Sequence, residues 1–455
     1  MAVAAKNTTG FPDADEPVLG PLRTENGFPT LFAFRRADRD ELACLYDDIF
    51  ERIETKNPHL RIFEDRLPGR EETRARLDAL LACRPDPARR PPLFGVPFGI
   101  KGVFRADGWD IRCGSLLPAD LFRGREAAAP AALRNAGALP LGITATTEFA
   151  SSEPAATCNP LNPAHTPGGS SSGSAAGVAA GFFPLATGTQ TIGSIIRPAS
   201  YCGITGFKAS SGRVPTEGLV YFSRTFDHAG FLCATPHEIE EVMRVILPIR
   251  QAAQIPRRIH LGVPVGPYLD QAEADNVARM REELARAGGP FVVTDTPCLD
   301  DIAAVNACHR EAVAAELAEE HNAYFDRFEP LYRPGTARQI RQGRAAGAAA
   351  AAAGARSRLA LRAALHEVMR RHRLHALICP SSVGEADKGL LSTGDPVMNL
   401  PWTHAGLPVL GLPLGTGASG LPLGRQLVGA FGADEALLAI GKKLYETVGN
   451  RRREQ

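Results

Sequence analysis

The run that most limits how this chain can fold is Thr166-Pro167-Gly168-Gly169-Ser170-Ser171-Ser172-Gly173-Ser174, followed by an alanine-rich stretch to Phe183 and then by Gly188-Thr189-Gln190-Thr191-Ile192-Gly193-Ser194. Small residues at this density let backbone N–H groups approach a ligand closely. The alanine-rich stretch reads as a helix capped by Ser174. A phosphate cradle is one use for such a loop, but no Gly-Lys-[Ser/Thr] follows and the Gly-x-Gly-x-x-Gly fingerprint is missing, so nucleotide binding is a poor reading.

A serine nucleophile needs a base, most often histidine. None of the eleven histidines sits in a comparable Gly/Ser motif: His165 lies on the approach to the loop and His228 in Phe226-Asp227-His228-Ala229. A lysine serves instead where burial strips its charge near neutral pH. There are seven lysines against forty-four arginines, so lysine is disfavoured wherever any cation would do. Lys6, Lys56, Lys388, Lys442 and Lys443 read as surface residues, whereas Lys101 and Lys208 stand in apolar, glycine-rich surroundings. Since arginine does not deprotonate in a protein, a lysine there is a candidate for proton transfer. A lysine snorkelling from a strand end is the structural alternative.

The 51 basic and 50 acidic side chains leave a net charge of +1, which offers no electrostatic reason for nucleic acid or an anionic membrane as partner and favours a small-molecule substrate. The low-polarity stretch 345–355 between Arg344 and Arg356 is shorter than the ~20 residues a bilayer requires. It reads as a surface helix. Nine scattered cysteines with no C-x-x-C pair fit neither a disulfide framework nor a zinc ribbon, and imply a reduced, cytoplasmic setting. His372 and His375 near Cys379 lack the further ligands a metal would need.

Residues 1–25 read as a loose segment and 26–455 as one domain. Leu42, Leu45, Ile49 and Ile53 recur at helical spacing after Asp38; Arg74 to Cys83 reads as a helix and Leu93 to Phe98 as a buried strand. Arg258 to Val265, Gln271 to Ala287 and Phe291 to Thr294 form a β-α-β pattern, for which parallel pairing is natural. Residues 310–373 read as mostly helical, and Ala376 to Cys379 as a core strand.

At these residues the chain resembles the amidase signature family, in its malonamidase-like branch. The glycine/serine core is matched by Pro167 to Ser174 and by Gly188 to Ser194 with Arg197-Pro198-Ala199. The lysine block is matched by Phe94-Gly95-Val96-Pro97-Phe98-Gly99-Ile100-Lys101, and the closing block by Gly420 to Gly429. The core signature covers about 91–232 and the closing region about 376–446. The resemblance implies a single α/β/α domain with a mixed, mostly parallel twisted sheet covered by helices on both faces. It also implies a Ser-Ser-Lys triad, with Ser194 as nucleophile, Ser170 as the bridging serine on a cis peptide after Gly169, and Lys101 as base. The backbone N–H groups of Thr191, Ile192, Gly193 and Ser194 would form the oxyanion hole, Thr146 would meet the substrate through its backbone, and Arg197 would meet a substrate carboxylate or pair with Glu148 or Asp227. Ser171 and Ser172 read as structural. Phe149, Tyr221, Phe222 and Trp402 are candidates for an apolar pocket wall or for core.

The implied activity is hydrolysis of a small carboxamide through an acyl-enzyme, without metal or organic cofactor; a homodimer is the family habit. The alternatives are a catalytically silent relative and the glutaminase-type component of an amidotransferase, which would need partner chains. Four departures from the family pattern stand out: Gln190 where Asp is common, Ile192 where Gly is common, Gly102 where an acid often follows the lysine, and Lys208-Ala209-Ser210 in place of Lys-Pro-Thr/Ser. Ile192 matters most, because a β-branched residue tolerates positive φ poorly.

Overall fold

Strands buried along their whole length must be covered on both faces, and this chain contains several. The computed structural model describes residues 23–453 apart from 25, 65, 68 and 248–252, so nearly all of the segment read as loose lies outside the described residues. Ten strands form one sheet: β1 (Pro97–Lys101), β2 (Leu139–Thr144), β3 (Leu185–Gln190), β4 (Thr205–Lys208), β5 (His228–Cys233), β6 (Ile259–Val265), β7 (Phe291–Pro297), β8 (Ala376–Pro380), β9 (Val409–Thr416) and β10 (Pro422–Val428). Their order is β2-β1-β3-β5-β4-β9-β10-β8-β6-β7. Every residue of β1, β3, β4, β5 and β8 is buried, as an α/β sheet with helices on both sides requires.

The sheet is mixed, as expected, but not mostly parallel: among the described residues four of its nine strand pairings are parallel and five antiparallel, because strand direction is set by the chain's connections and not by local composition. Its parallel pairs occupy the two flanks, β2-β1-β3 and β8-β6-β7, while the pairings from β3 through β5, β4, β9 and β10 to β8 are antiparallel. The parallel β6–β7 pair is the β-α-β unit read from the sequence, with helix Ala274–Ala287 between its strands.

Local signals set several helix starts. Asp38 caps helix Arg39–Leu60 in a reciprocal box with Glu41, and Leu42, Ile49 and Ile53 point into the core. Two expectations shift. The strand read over Leu93 to Phe98 begins only at Pro97; Leu93 to Val96 are buried in hydrogen-bonded turns, and a short apolar run does not distinguish the two. Ser174 is not a cap. The helix runs Ser172–Ala179, and Ser174 is inside it, with its hydroxyl 2.7 Å from that of Thr144.

The alanine-rich surface helix is part of Pro334–Arg371, kinked at Gly347, and packs along helix Ile302–Glu320. Gly343 makes that approach possible: a Cβ there would lie 1.8 Å from Ala314 O. In an exposed helix Gly→Ala stabilises by about 1 kcal/mol, whereas forcing atoms into a filled contact costs about 1–3 kcal/mol. Gly343→Ala is therefore expected to lower the unfolding free energy in equilibrium denaturation; a gain in stability would contradict the close contact.

Candidate active site

In open α/β sheets, ligands gather at the carboxyl ends of parallel strands. Lys101 is the last residue of β1, Thr144 ends β2 just before Thr146, and Gln190 ends β3 just before Thr191 to Ser194. The β2-β1-β3 flank thus brings the lysine block and the glycine/serine block to one edge. Lys101 is wholly buried, and its backbone N–H donates to Thr187 Oγ1. Its Nζ lies 2.7 Å from Ser170 Oγ, 2.6 Å from Thr189 Oγ1 and 3.4 Å from Thr189 O. Burial pushes the amine down to about 7, with Asp227 pulling back toward the charged form. Asp227, which accepts from the Thr191 hydroxyl and the Phe222 and Ser223 N–H groups, is itself pushed up to about 6 by burial.

The Gly169–Ser170 peptide is cis. Ser171 N–H donates to Ser194 O at 3.3 Å, which holds the two serine segments side by side. Ser194 is the most exposed of the three, at 8% against 2% for Ser170 and 0% for Lys101. Its hydroxyl makes no protein hydrogen bond among the described residues. Ser171 and Ser172 bond to Thr189 O and Gly168 O, which are structural roles.

The departures in the loop are accommodated. Ile192 is not among the non-glycine residues with positive φ, so no strain attaches to its branched side chain. Gln190 is wholly buried; its Oε1 accepts the N–H groups of Ile195 and Ile196 at 2.9 and 3.0 Å, and its Nε2 donates to Thr403 Oγ1 at 2.9 Å. A side-chain amide supplies both functions, which a carboxylate cannot. Lys208 is buried like Lys101, but its partners are the carbonyls of Leu407 and Ala209, away from the serines.

Gly102 has a physical counterpart in Glu64. A Cβ at position 102 would lie 2.2 Å from Glu64 Oε1, and that oxygen accepts Gly114 N–H at 3.1 Å. Glu64, entering from another segment, thus occupies the space a side chain at position 102 would need.

Arg197 pairs with neither Glu148 nor Asp227, contrary to one of the two expectations. Glu148 accepts Arg333 N–H instead. The Arg197 guanidinium, 4% exposed, donates from Nη2 to Gly169 O at 2.8 Å and to Thr393 Oγ1 at 3.0 Å. Nε and Nη1 are buried without a partner, and among the described residues no carboxylate forms an ion pair with it. Thr146 is 2% exposed, and its hydroxyl is also unpartnered.

Of the four aromatic candidates, Trp402 is core, donating to Tyr268 OH at 3.0 Å, and Phe149 packs on His321 and Tyr332. Phe222 is buried. Tyr221 lines a cavity of about 410 Å³ with Arg105, Phe122, Arg224 and Tyr324. His228 binds backbone carbonyls through Nδ1, and His375 Nδ1 accepts His260 N–H. Sequence reading missed Thr189, although Thr187 and Thr189 alternate on one side of β3 and both touch Lys101. It also missed Glu64, Thr393, His309, His404 and Thr403, which enter from distant segments.

These features define an α/β protein whose candidate catalytic side chains gather at strand carboxyl ends. A family model described as Amidase matches residues 46–438. One component of the glutamyl-tRNA(Gln) amidotransferase of Roseiflexus castenholzii is 33% identical over 449 residues, covering 87% of this chain and 90% of that one. A solved amidase superposes with a TM-score of 0.80 at 28% identity, covering 89% of this chain and 96% of the other. The native peptide amidase from Stenotrophomonas maltophilia gives 0.74 at 25%, covering 90% and 94%. The chain belongs to the amidase family.

The Glu64 arrangement is testable by a double-mutant cycle. Gly102→Asp alone places a side chain and a charge against Glu64, with an expected loss of about 1–3 kcal/mol. Combined with Glu64→Ala, the loss should be smaller than the sum by at least about 1 kcal/mol. Strict additivity in denaturant unfolding would refute the close approach of the two positions.

Proposed function

We propose that this protein is an amidase that hydrolyses the C–N bond of a small carboxamide through an acyl-enzyme on Ser194, with Lys101 as base and Ser170 as proton bridge. The observation that carries this reading is the buried Lys101 amine, about 7, in direct contact with the Ser170 hydroxyl. A neutral amine has two N–H bonds and one lone pair. With Thr189 Oγ1 and O as acceptors, the lone pair is left for the Ser170 proton.

Ser170 then takes the proton of Ser194, whose oxygen bonds to the amide carbon as the carbonyl electrons move onto oxygen. The N–H groups of Thr191, Ile192, Gly193 and Ser194 donate to that oxyanion, each worth roughly 3 kcal/mol. Collapse breaks the C–N bond, and the nitrogen leaves with the proton returned through Ser170. Water attacks the acyl carbon by the same relay, releasing a carboxylic acid and restoring Ser194.

Arg197 extends the reading to substrate class. A buried cation with unpartnered N–H groups and no protein carboxylate suits an amide carrying a second, ionised carboxyl group. Thr146 would meet the substrate beside it. The identity to a component of a glutamyl-tRNA(Gln) amidotransferase favours a second reading, a glutaminase whose ammonia passes to a partner. Ammonia release from glutamine only when partner chains are added would select it. The nine cysteines are all unpaired, which suits a cytoplasmic, reducing setting.

Because the base acts unprotonated and its value lies below that of free lysine, activity is expected to rise with pH. kcat/KM should climb about tenfold per pH unit below about 7 and level off above it. Lys101→Ala and Ser194→Ala should abolish turnover with folding intact; wild-type-like rates in either would refute the roles. Amides with a distal carboxylate should be preferred over neutral ones by about 10–100-fold, and Arg197→Met should erase that preference. Equal rates across the wild-type panel would remove Arg197 from recognition.

A further inference from the structure

Behind the Thr191–Ser194 loop lies a chain of hydrogen bonds built from two buried histidines, His309 and His404, each 0% exposed. His309 Nε2 lies 3.1 Å from Thr191 O, His309 Nδ1 lies 3.0 Å from His404 Nδ1, and His404 Nε2 lies 2.9 Å from Ser357 Oγ. Burial pushes both imidazoles down, His404 to about 4, so both rings are uncharged, and the partners then fix the protons. A carbonyl only accepts, so His309 carries its hydrogen on Nε2; its Nδ1 then accepts from His404 Nδ1–H, and His404 Nε2 accepts from the Ser357 hydroxyl. Both rings are neutral, and all four nitrogens are satisfied. Phe226 packs against the pair, edge-on to His309 and stacked on His404.

The carbonyl that His309 holds belongs to the same peptide plane as Ile192 N–H, and in a trans peptide the two point in opposite directions. Fixing Thr191 O therefore fixes the direction of Ile192 N–H. The next two planes are fixed in the same way. Thr403 Oγ1 donates to Ile192 O at 2.6 Å, which aims Gly193 N–H, and Arg197 N–H donates to Gly193 O at 2.9 Å, which aims Ser194 N–H. Each of these three N–H groups thus has its own carbonyl anchored from behind. Only the first anchor is a side-chain relay reaching the helices Ile302–Glu320 and Pro334–Arg371.

We propose that His309, oriented by His404 and Ser357, is a positioning residue that aims and polarises the Ile192 N–H toward the oxyanion. This rests on the acyl-enzyme reading given above and extends it: the histidines touch no substrate and transfer no proton. They make the loop with Ile192 a rigid donor, because a peptide whose carbonyl already accepts a bond is a stronger N–H donor and needs no reorganisation as charge develops. Ground-state amide binding gains little from this, since the carbonyl becomes an oxyanion only in the transition state.

The test is steady-state kinetics together with affinity for a boronic acid that forms a tetrahedral adduct on serine. His309→Leu is expected to lower kcat by about 10–100-fold with KM changed less than about threefold, and boronate affinity should fall in step with kcat. His309→Gln, whose amide nitrogen can donate where Nε2 does, should recover most of the loss. His404→Asn against His404→Leu gives the same comparison one residue back, should His309→Leu fail to fold. Unchanged kcat in folded His309→Leu, a loss confined to KM, or no difference between the Gln and Leu variants would overturn the proposal. A wild-type protein not acylated at Ser194 would overturn the reading beneath it, and that result precedes any histidine variant.

Discussion

An ammonium group moved out of water into a protein interior without a counter-charge loses far more solvation than hydrogen bonds restore, so it sheds its proton instead. Lys101 is held in that situation. It ends a strand buried along its length, with two hydroxyls and a carbonyl as hydrogen-bond partners, and the pull of Asp227 toward the charged form is smaller than the effect of burial. The sheet explains why the amine cannot escape. The parallel pairing of β1 with β2 and β3 leaves Lys101 between covered strands, where the hydroxyls of Ser170 and Thr189 face its amine. Lys208 shows that burial alone is insufficient: it too is pushed down to about 7, yet its neighbours are carbonyls, which have no proton to give.

The second half of the site is a question of direction. N–H groups stabilise an oxyanion only if they already point at it. The loop from Thr191 to Ser194 has no regular secondary structure to impose that, and it is held through its carbonyls and through Gln190, whose single amide side chain bridges Ile195, Ile196 and Thr403. Within that loop Ile192 has no positive φ, so its branched side chain carries no backbone strain.

Much of this was legible in the sequence, for identifiable reasons. Lys101 stood out because lysine is scarce here and arginine abundant, and the Gly/Ser runs because their density has few structural uses. Helix Arg39–Leu60 and the β6–β7 unit followed from local periodicity and capping. What stayed hidden came from across the fold. Glu64 beside Gly102, Thr393 on Arg197, and His309 with His404 behind Thr191 are separated from their partners by long stretches of chain, and no local pattern encodes such a meeting. The antiparallel centre of the sheet was hidden for the same reason, since strand direction is settled by topology and not by composition.

The central claim is that the amine at the heart of the site is uncharged when the enzyme works, and neutron diffraction from a deuterated crystal above neutral pD observes it directly. Two deuterons on Lys101 Nζ, with the Ser170 deuteron directed at the nitrogen, is the predicted result. Three deuterons on Nζ, with Ser170 accepting one of them, would contradict the account.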